Sequence, residues 1–424
     1  MHSIIDELNW RGLIHQATDE AALRTFLAKP AIVYAGFDPT ADSLHVGSLL
    51  PLIMLRRFQQ AGHRPIALVG GATGMIGDPS GKSEERQLLS KDILVENVAG
   101  IRKQMEHFLD FDGPAGAVVV NNFDWMQAFS FLDFLRDVGK NFPINVMLSK
   151  DSVKSRLERS DVGLSYTEFS YMLLQAYDFV HLAQHHDCSL QIGGSDQWGN
   201  ITAGIDLGRR MLSKQLYGLT CPLLTTSDGR KMGKSEKGAV WLSPERTSPY
   251  EFYQYLINVA DSDVLLTLRF LTDVSREEYE AIEGSLRDRP QERAAQKRLA
   301  EALTRLVHGE EGLASAERAT KTLFGAEIES LSDRELTTIF ADVPSKEVDR
   351  DQLVAGIGII DALCLAGLAT SKSEARRTVN EGAAYVNNRR VESIEKILTS
   401  GDLASETVIV LRSGKKRYSL LRFV

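Results

Sequence analysis

The chain has 424 residues, 43% hydrophobic and 25% charged, with a net charge of −8. That composition is ordinary for a soluble globular protein, and the length exceeds what one hydrophobic core usually serves, so two or three domains are expected. Cys188, Cys221 and Cys364 are odd in number and far apart, which argues against a disulfide framework or a structural zinc cluster and suits a reducing, cytoplasmic compartment.

Asp6 and Glu7 stand where a signal peptide needs basic residues, and no run of about 18 apolar residues occurs, so secretion and membrane insertion are not expected. Residues 31–70 read as strand (Ala31 to Tyr34), helix (about Ser48 to Gln60, apolar at helical spacing from Leu49 to Phe58) and strand (Pro65 to Val69). This βαβ unit predicts a parallel sheet covered by helices. Further strands are predicted at Ala117 to Val120, Leu190 to Ile192 and about Leu219 to Thr225, which makes residues 1–225 an α/β, Rossmann-like, doubly wound domain. Ser248-Pro249-Tyr250-Glu251 is a capping box with proline at the first helical position, and helix-forming stretches follow it, so 226–330 is expected to be α-helical. Residues 331–350, polar and aperiodic around Asp342 to Asp349, read as a linker. Residues 351–424 read as a small α/β module: short helices from Leu353 to Glu381, a strand at Ala384 to Val386, a polar turn at Asn387-Asn388, and strands at Thr407 to Leu411 and Tyr418 to Leu421.

Charge is unevenly placed. Residues 351–424 hold 11 Lys/Arg against 8 Asp/Glu, a net of +3, which leaves −11 on residues 1–350. Lys372, Arg376 and Arg377 are helically spaced and Lys415, Lys416 and Arg417 lie near the end, which marks either a nucleic-acid surface or a solvated face.

Two stretches carry the most chemistry. Asp38-Pro39-Thr40 leads into His45-Val46-Gly47-Ser48 where the first strand gives way to a helix, a place where free amides and the helix dipole attract phosphate. Far downstream, Lys231-Met232-Gly233-Lys234-Ser235 sets two ammonium groups three residues apart on a glycine-containing loop. Each alone is commonly a surface feature; together they can hold a nucleotide triphosphate from two sides. The standard fingerprints do not apply: Gly81-Lys82-Ser83 would need glycine at Ile76 to make a P-loop, and Ala72 breaks the dinucleotide pattern ending at Gly77. In the apolar helix from Tyr166 to Val180, Tyr171, Gln175 and Asp178 form one polar stripe. The stripe is satisfied by other protein groups, faces solvent, or walls a pocket for a small polar ligand, with Tyr34 and Asp78 at the same sheet edge. Gly193 to Asn200 repeats the strand, turn and helix-start arrangement, with Gln191, Asp196 and Gln197 placed to reach a ribose or a carboxyl group, or to act as an ordinary helix cap.

These residues resemble a family. His45 to Ser48 and Lys231 to Ser235 look like the two signatures of class I aminoacyl-tRNA synthetases. Tyr34 to Thr40, Gly77-Asp78-Pro79-Ser80 and Gly193 to Asn200 are similar to bacterial tyrosyl-tRNA synthetases, and Gly367 to Arg377 with Gly382 to Val386 is similar to their S-four-type RNA-binding module. A tryptophanyl enzyme on the same fold is the nearest rival, but Asp178 facing Tyr34 suits a phenol better than an indole.

The resemblance implies that L-tyrosine and ATP, with Mg²⁺ carried by the nucleotide and no protein-bound metal, give tyrosyl-adenylate and pyrophosphate, after which tyrosine passes to the terminal ribose of tRNA(Tyr). Thr40 and His45 would touch the leaving phosphates, Lys231 and Lys234 would close over them, and Lys82 and Arg86 would assist. Gly36, Asp38, Gly47, Ser48, Gly193, Asp196 and Ser235 would complete the ATP site. Tyr34 and Asp178 would take the phenol hydroxyl, and Asp78, Tyr171 and Gln175 the ammonium group, with Gln191 and Gln197 nearby. Residues 226–330 would serve the anticodon and Lys372, Arg376, Arg377, Lys415, Lys416 and Arg417 the RNA. A homodimer through Phe129 to Val138 and Phe142 to Met147 is implied, burial within one chain being the alternative. Two positions depart from the family signatures: Ser48 replaces a histidine, and Gly233 replaces a serine and is expected to loosen the loop.

Overall fold

The β-branched and aromatic run Ile32–Phe37 forms the central strand of the first half of the chain, and the elements around it fix where ligands can reach it. The computed structural model describes residues 3–78, 89–150, 153–154, 164–235, 238–323, 328, 331–340, 343–414 and 417–424. In chain order the elements used below are α1 (Ile4–Arg11), β1 (Gln16–Ala17), β2 (Ile32–Phe37), α2 (Leu49–Gln60), β3 (Arg64–Val69), β4 (Val118–Asn121), α3 (Tyr166–His185), β5 (Leu190–Gly194), α4 (Trp198–Leu212), β6 (Tyr217–Cys221), α5 (Asp261–Leu271) and α6 (Ala294–Leu323). Among the described residues, six strands make one sheet in the order β1-β6-β5-β2-β3-β4. It is parallel throughout except for β1, which pairs antiparallel with β6 and adds an edge that the doubly wound reading did not contain. The strand order reverses between β2 and β5, and in open α/β sheets ligands bind at the carboxyl ends of the strands at such a switch point.

The register across that point puts Tyr34 beside Ile66 on one side and Gln191 on the other. Helix α3 lays Phe179, Leu182 and Ala183 on Tyr34, Ile66 and Leu68, with the Phe179 and Tyr34 rings meeting edge to face at 5.2 Å. Burying a side chain of this size contributes about 1.5–3 kcal/mol, enough to fix the rotation of α3 and with it the direction of its polar stripe.

By contact density the chain divides into two compact units, residues 1–246 with 257–307 and residues 247–256 with 308–424. In the second unit Ser248 caps the helix Pro249–Ile257 as read from the sequence: Glu251 N donates to Ser248 Oγ and Ser248 N to Glu251 Oε2. Helix α6 is interrupted at Gly309, whose φ of 72° is left-handed, close to the residue where one unit gives way to the other.

A second sheet runs Arg389–Arg390, Ala384–Val386, Val408–Ser413, Arg417–Phe423 and Ser345–Val348. Asn387 and Asn388 make its tight turn with φ of 50° and 63°, a conformation asparagine tolerates. Ser345–Val348 lies inside the stretch read as a linker. It is an edge strand parallel to Arg417–Phe423 with Ser345, Lys346 and Glu347 exposed and Val348 buried, and exposed charges on an edge strand look like a linker in sequence.

Candidate active site

Helix α2 begins after a short 3₁₀ turn, Val46–Ser48, set up by His45: its Nδ1 accepts the Gly47 amide at 3.0 Å. The lysine stretch is tied to this turn by backbone hydrogen bonds. Val46 N donates to Val240 O, Val240 N to Gly233 O and Leu242 N to Leu44 O, at 2.8–2.9 Å, and the His45 and Trp241 rings meet at 6.0 Å. Gly233 has φ of +98°, and a Cβ there would stand 2.9 Å from the Gly47 nitrogen and 3.2 Å from Val46 Cβ. The expected loosening is therefore offset: the absence of a side chain at Gly233 is what lets the lysine segment lie against the His45 turn. Lys231 Nζ is 3.7 Å from Asp196 Oδ2, and Lys234 is exposed.

The stripe on α3 is both satisfied by protein groups and turned to a pocket. The Ser165 and Glu168 capping box starts the helix. Tyr171 OH donates to Asp38 Oδ2 at 3.0 Å, while Asp38 Oδ1 accepts Thr73 Oγ1 at 2.9 Å. Gln175 Nε2 donates to Gln197 Oε1 at 3.2 Å, and Gln197 Nε2 to Asp78 Oδ2 at 2.8 Å. Asp178, 2% exposed, accepts Trp125 Nε1 at 2.9 Å and Asn122 Nδ2 at 3.0 Å. Burial pushes its carboxyl up to about 7, with the two hydrogen bonds pulling the other way. Burial, with the Asp178 charge added, raises the Tyr34 phenol well above its ordinary value. Burial also raises Asp196, opposed by Lys231.

Three polar atoms are left over. Tyr34 OH, Gln175 Oε1 and Gln191 Oε1 are buried and find no hydrogen-bond partner among the described residues. Each such atom costs about 1–3 kcal/mol, and all three residues line one cavity.

That cavity, of about 380 Å³, gathers most of the residues singled out by sequence: Tyr34, Gly36, Asp38, Thr40, His45, Gly47, Ser48, Asp78, Tyr171, Gln175, Asp178, Gln191, Gly193, Asp196, Gln197, Lys231 and Lys234. Lys82 and Arg86 lie outside the described residues, and of Ser235 only the backbone strand is described. Sequence reading passed over Asn122 and Trp125, which hold Asp178, and Thr73, which accepts Asn122 Nδ2 at 3.1 Å and holds Asp38. The signal for Asn122 was available: polar residues directly after β4 stand at the same sheet edge as the other site residues.

The basic residues belong to the second unit. Lys372, Arg376 and Arg377 are exposed on the helix Lys372–Asn380, with Lys372 Nζ 2.6 Å from Asp361 Oδ1. Arg417 Nη2 lies 3.5 Å from Gly367 O, and Lys415 and Lys416 lie outside the described residues. Among the described residues no cluster of three or more His, Cys, Asp or Glu side chains could hold a metal ion, and no helix is long and apolar enough to cross a membrane.

Residues 27–325 match the family model of tRNA synthetases class I (W and Y), and residues 335–421 that of the tyrosine–tRNA ligase SYY-like C-terminal domain. The chain is 62% identical to the tyrosine–tRNA ligase of Rhodopirellula baltica, over 99% of this chain and 96% of that one. The chain belongs to the tyrosine–tRNA ligase family of class I synthetases. It is also 52% identical to the tyrosine–tRNA ligase of Roseiflexus castenholzii over the full length of both. Among solved structures, a C-terminally truncated Aspergillus nidulans mitochondrial tyrosyl-tRNA synthetase superimposes with a TM-score of 0.69 at 32% identity, over 76% of this chain and 95% of that one. The cavity brings the buried Tyr34 and Asp178 together with Lys231 and Lys234.

Proposed function

We propose that this chain joins L-tyrosine to tRNA(Tyr) in two steps within the cavity at the β2 and β5 strand ends. The observation that carries the reading is the set of orphaned atoms, Tyr34 OH, Gln175 Oε1 and Gln191 Oε1, around the fully buried Asp178. A tyrosine side chain laid there donates its hydroxyl to Asp178 and accepts from Tyr34, and its ammonium group reaches Asp78, Tyr171 and Gln175, with Gln191 and Gln197 beside them. A site built to hydrogen-bond a hydroxyl leaves polar groups unpaired when the analogue lacking it enters. Tyrosyl enzymes are themselves the general example, rejecting phenylalanine by about 10⁵.

Tyrosine supplies its own nucleophile, a carboxylate, so the protein needs no covalent intermediate and contributes orientation and charge stabilisation. The carboxylate attacks the α-phosphate of ATP and pyrophosphate leaves with the electron pair of the broken P–O bond. Thr40, His45, Lys231 and Lys234 take the charge that builds on the departing phosphates, assisted by Lys82 and Arg86. Asp38 and Asp196, with Gly36, Gly47, Ser48, Gly193 and Ser235, hold the nucleotide. Mg²⁺ enters with ATP as part of that substrate. In the second step a hydroxyl of the terminal tRNA ribose attacks the activated carbonyl, and AMP leaves. The Lys231–Asp196 ion pair is loose at 3.7 Å and half exposed on the lysine side, so the lysine is available to exchange Asp196 for phosphate.

The exposed cations Lys372, Arg376 and Arg377, with Lys415, Lys416 and Arg417, are the RNA contact of a module spanning 351–424, alongside a catalytic domain of 1–225 and a helical anticodon-recognition domain of 226–330. Phe131, Leu132 and Ile144 are 66%, 75% and 58% exposed and support a homodimer through this patch. A cytoplasmic location accords with the substrates. The test is charging: the purified chain with ATP, Mg²⁺ and radiolabelled tyrosine is expected to give acid-precipitable tyrosyl-tRNA from tRNA(Tyr). Adenylate formed without any transfer to tRNA would reduce the protein to an adenylyltransferase.

A further inference from the structure

We propose that α5 is the seat of the lysine loop and that Asp263 is the positioning residue that sets Lys231 and Lys234. This rests on the reading that those two lysines hold the phosphates of ATP. Asp263 stands in the first turn of α5 and is 8% exposed, yet its carboxylate serves a different segment: Oδ1 accepts Ser227 N at 2.9 Å. Ser262 Oγ donates to the same oxygen at 3.1 Å and lies 3.0 Å from Ser227 Oγ.

Ser227 is part of the tight turn that delivers the chain into Lys231. Thr226 N donates to Arg230 O at 2.8 Å, Gly229 N to Thr226 O at 2.9 Å, and Thr225 pairs with Lys231 as a β-bridge. A carboxylate fixed on a helix and bonded to the second residue of that turn fixes where the loop starts. One turn along α5, the buried Thr267 hydroxyl lies 3.8 Å from Sδ of Met232, between the two lysines and 5% exposed. The loop is thus held on α5 at two points, by the Asp263 carboxylate and by the Thr267 hydroxyl, which donates to the Met232 sulfur.

The other end of α5 is anchored to α1 and to the last turn of α2, the helix that follows the first signature. Arg11 of α1 and Arg57 of α2, both buried, donate to Thr272 O at 2.9 and 2.6 Å. Helix α2 begins at the His45 turn, so α5 spans from the lysine loop to the helix that carries the opposing phosphate-binding end. Neither Asp263 nor Ser227 lines the cavity, so their influence on the chemistry runs through the placement of the lysines.

The test uses Asp263→Ala, Asp263→Asn and Ser262→Ala in the full chain, with Lys234→Ala as reference. Single-turnover tyrosyl-adenylate formation at saturating ATP is read alongside tyrosine affinity by equilibrium dialysis and a thermal melt. Asp263→Ala is expected to slow adenylate formation by about ten- to a hundredfold, the scale of an ångström-sized misplacement, with tyrosine affinity unchanged. Asp263→Asn keeps an oxygen that can accept the Ser227 amide and is expected to restore most of the rate. Ser262→Ala, at an exposed position that folding tolerates, is expected to give a smaller loss in the same direction. The inference is overturned if Asp263→Ala and Ser262→Ala keep the parental rate while Lys234→Ala loses it, if Asn is no better than Ala, or if tyrosine affinity falls in step with the rate. A parental rate in Lys234→Ala would instead remove the reading of the lysines on which the inference rests.

Discussion

Asp178→Asn separates what the buried carboxylate does for specificity from what it costs the fold. Moving its carboxyl from an ordinary 3.8 to about 7 means that, on linkage, holding it ionised costs about 4 kcal/mol at 1.36 kcal/mol per unit. The sign follows from proton uptake: between about pH 4 and 7 the folded state binds the proton more tightly than the unfolded state, so the stability this group supplies is present below pH 4 and lost as pH rises through 7. Asparagine removes that cost. Its amide has one oxygen for two donors, Asn122 Nδ2 and Trp125 Nε1, so one of these meets an NH₂ group and loses its partner, at about 1–3 kcal/mol. Melts are therefore expected to show the variant less stable than the parent at pH 4 and more stable at pH 8. The tyrosine phenol loses a charged acceptor worth about 1.5–3 kcal/mol, so kcat/KM in tyrosine-dependent pyrophosphate exchange is expected to fall by about 10- to 150-fold. Phenylalanine, which has no hydroxyl to lose, should be affected far less. Equal losses for the two amino acids, or a stability difference that ignores pH, would refute the reasoning.

Lys234→Ala is expected to slow adenylate formation by about 10²–10³, as loss of a preorganised charge-stabilising donor does, while equilibrium dialysis finds tyrosine affinity nearly unchanged. Gly233→Ala places a Cβ 2.9 Å from the Gly47 nitrogen on a left-handed backbone, strain of about 1–3 kcal/mol; adenylate formation measured by stopped flow should drop about tenfold or more. Replacing Lys372, Arg376 and Arg377 together by Glu should weaken tRNA charging and flatten its dependence on salt, with pyrophosphate exchange untouched. Leu132→Asp, on the most exposed large apolar side chain of its patch at 75%, should shift the sedimentation of the protein from dimer to monomer.

Strong periodicity made the βαβ unit legible, and the ends of the observed strands lie within four residues of the expected ones. The two-residue β1 carries too short a pattern to be read at all. Ser345–Val348 was hidden because three of its four side chains face solvent, so nothing in its composition marks a strand; only its pairing with Arg417–Phe423 does. At the site, the cavity-lining stripe on α3 could be read because helical spacing alone put Tyr171, Gln175 and Asp178 on one face. The residues that support it could not. Thr73 follows β3, while Asn122 and Trp125 follow β4, and their hydrogen bonds to Asp38 and Asp178 exist only once the chain has folded. The close packing at Gly233 was hidden for a related reason: a glycine suggests mobility until its neighbours are known, and here the neighbour is the backbone of Gly47.

The central claim is that the cavity selects a phenol and delivers it to ATP. ATP–pyrophosphate exchange with each of the twenty amino acids in turn tests it most directly: the account predicts exchange dominated by tyrosine, with phenylalanine lower by orders of magnitude, and a tryptophan-dominated or unselective profile would contradict it.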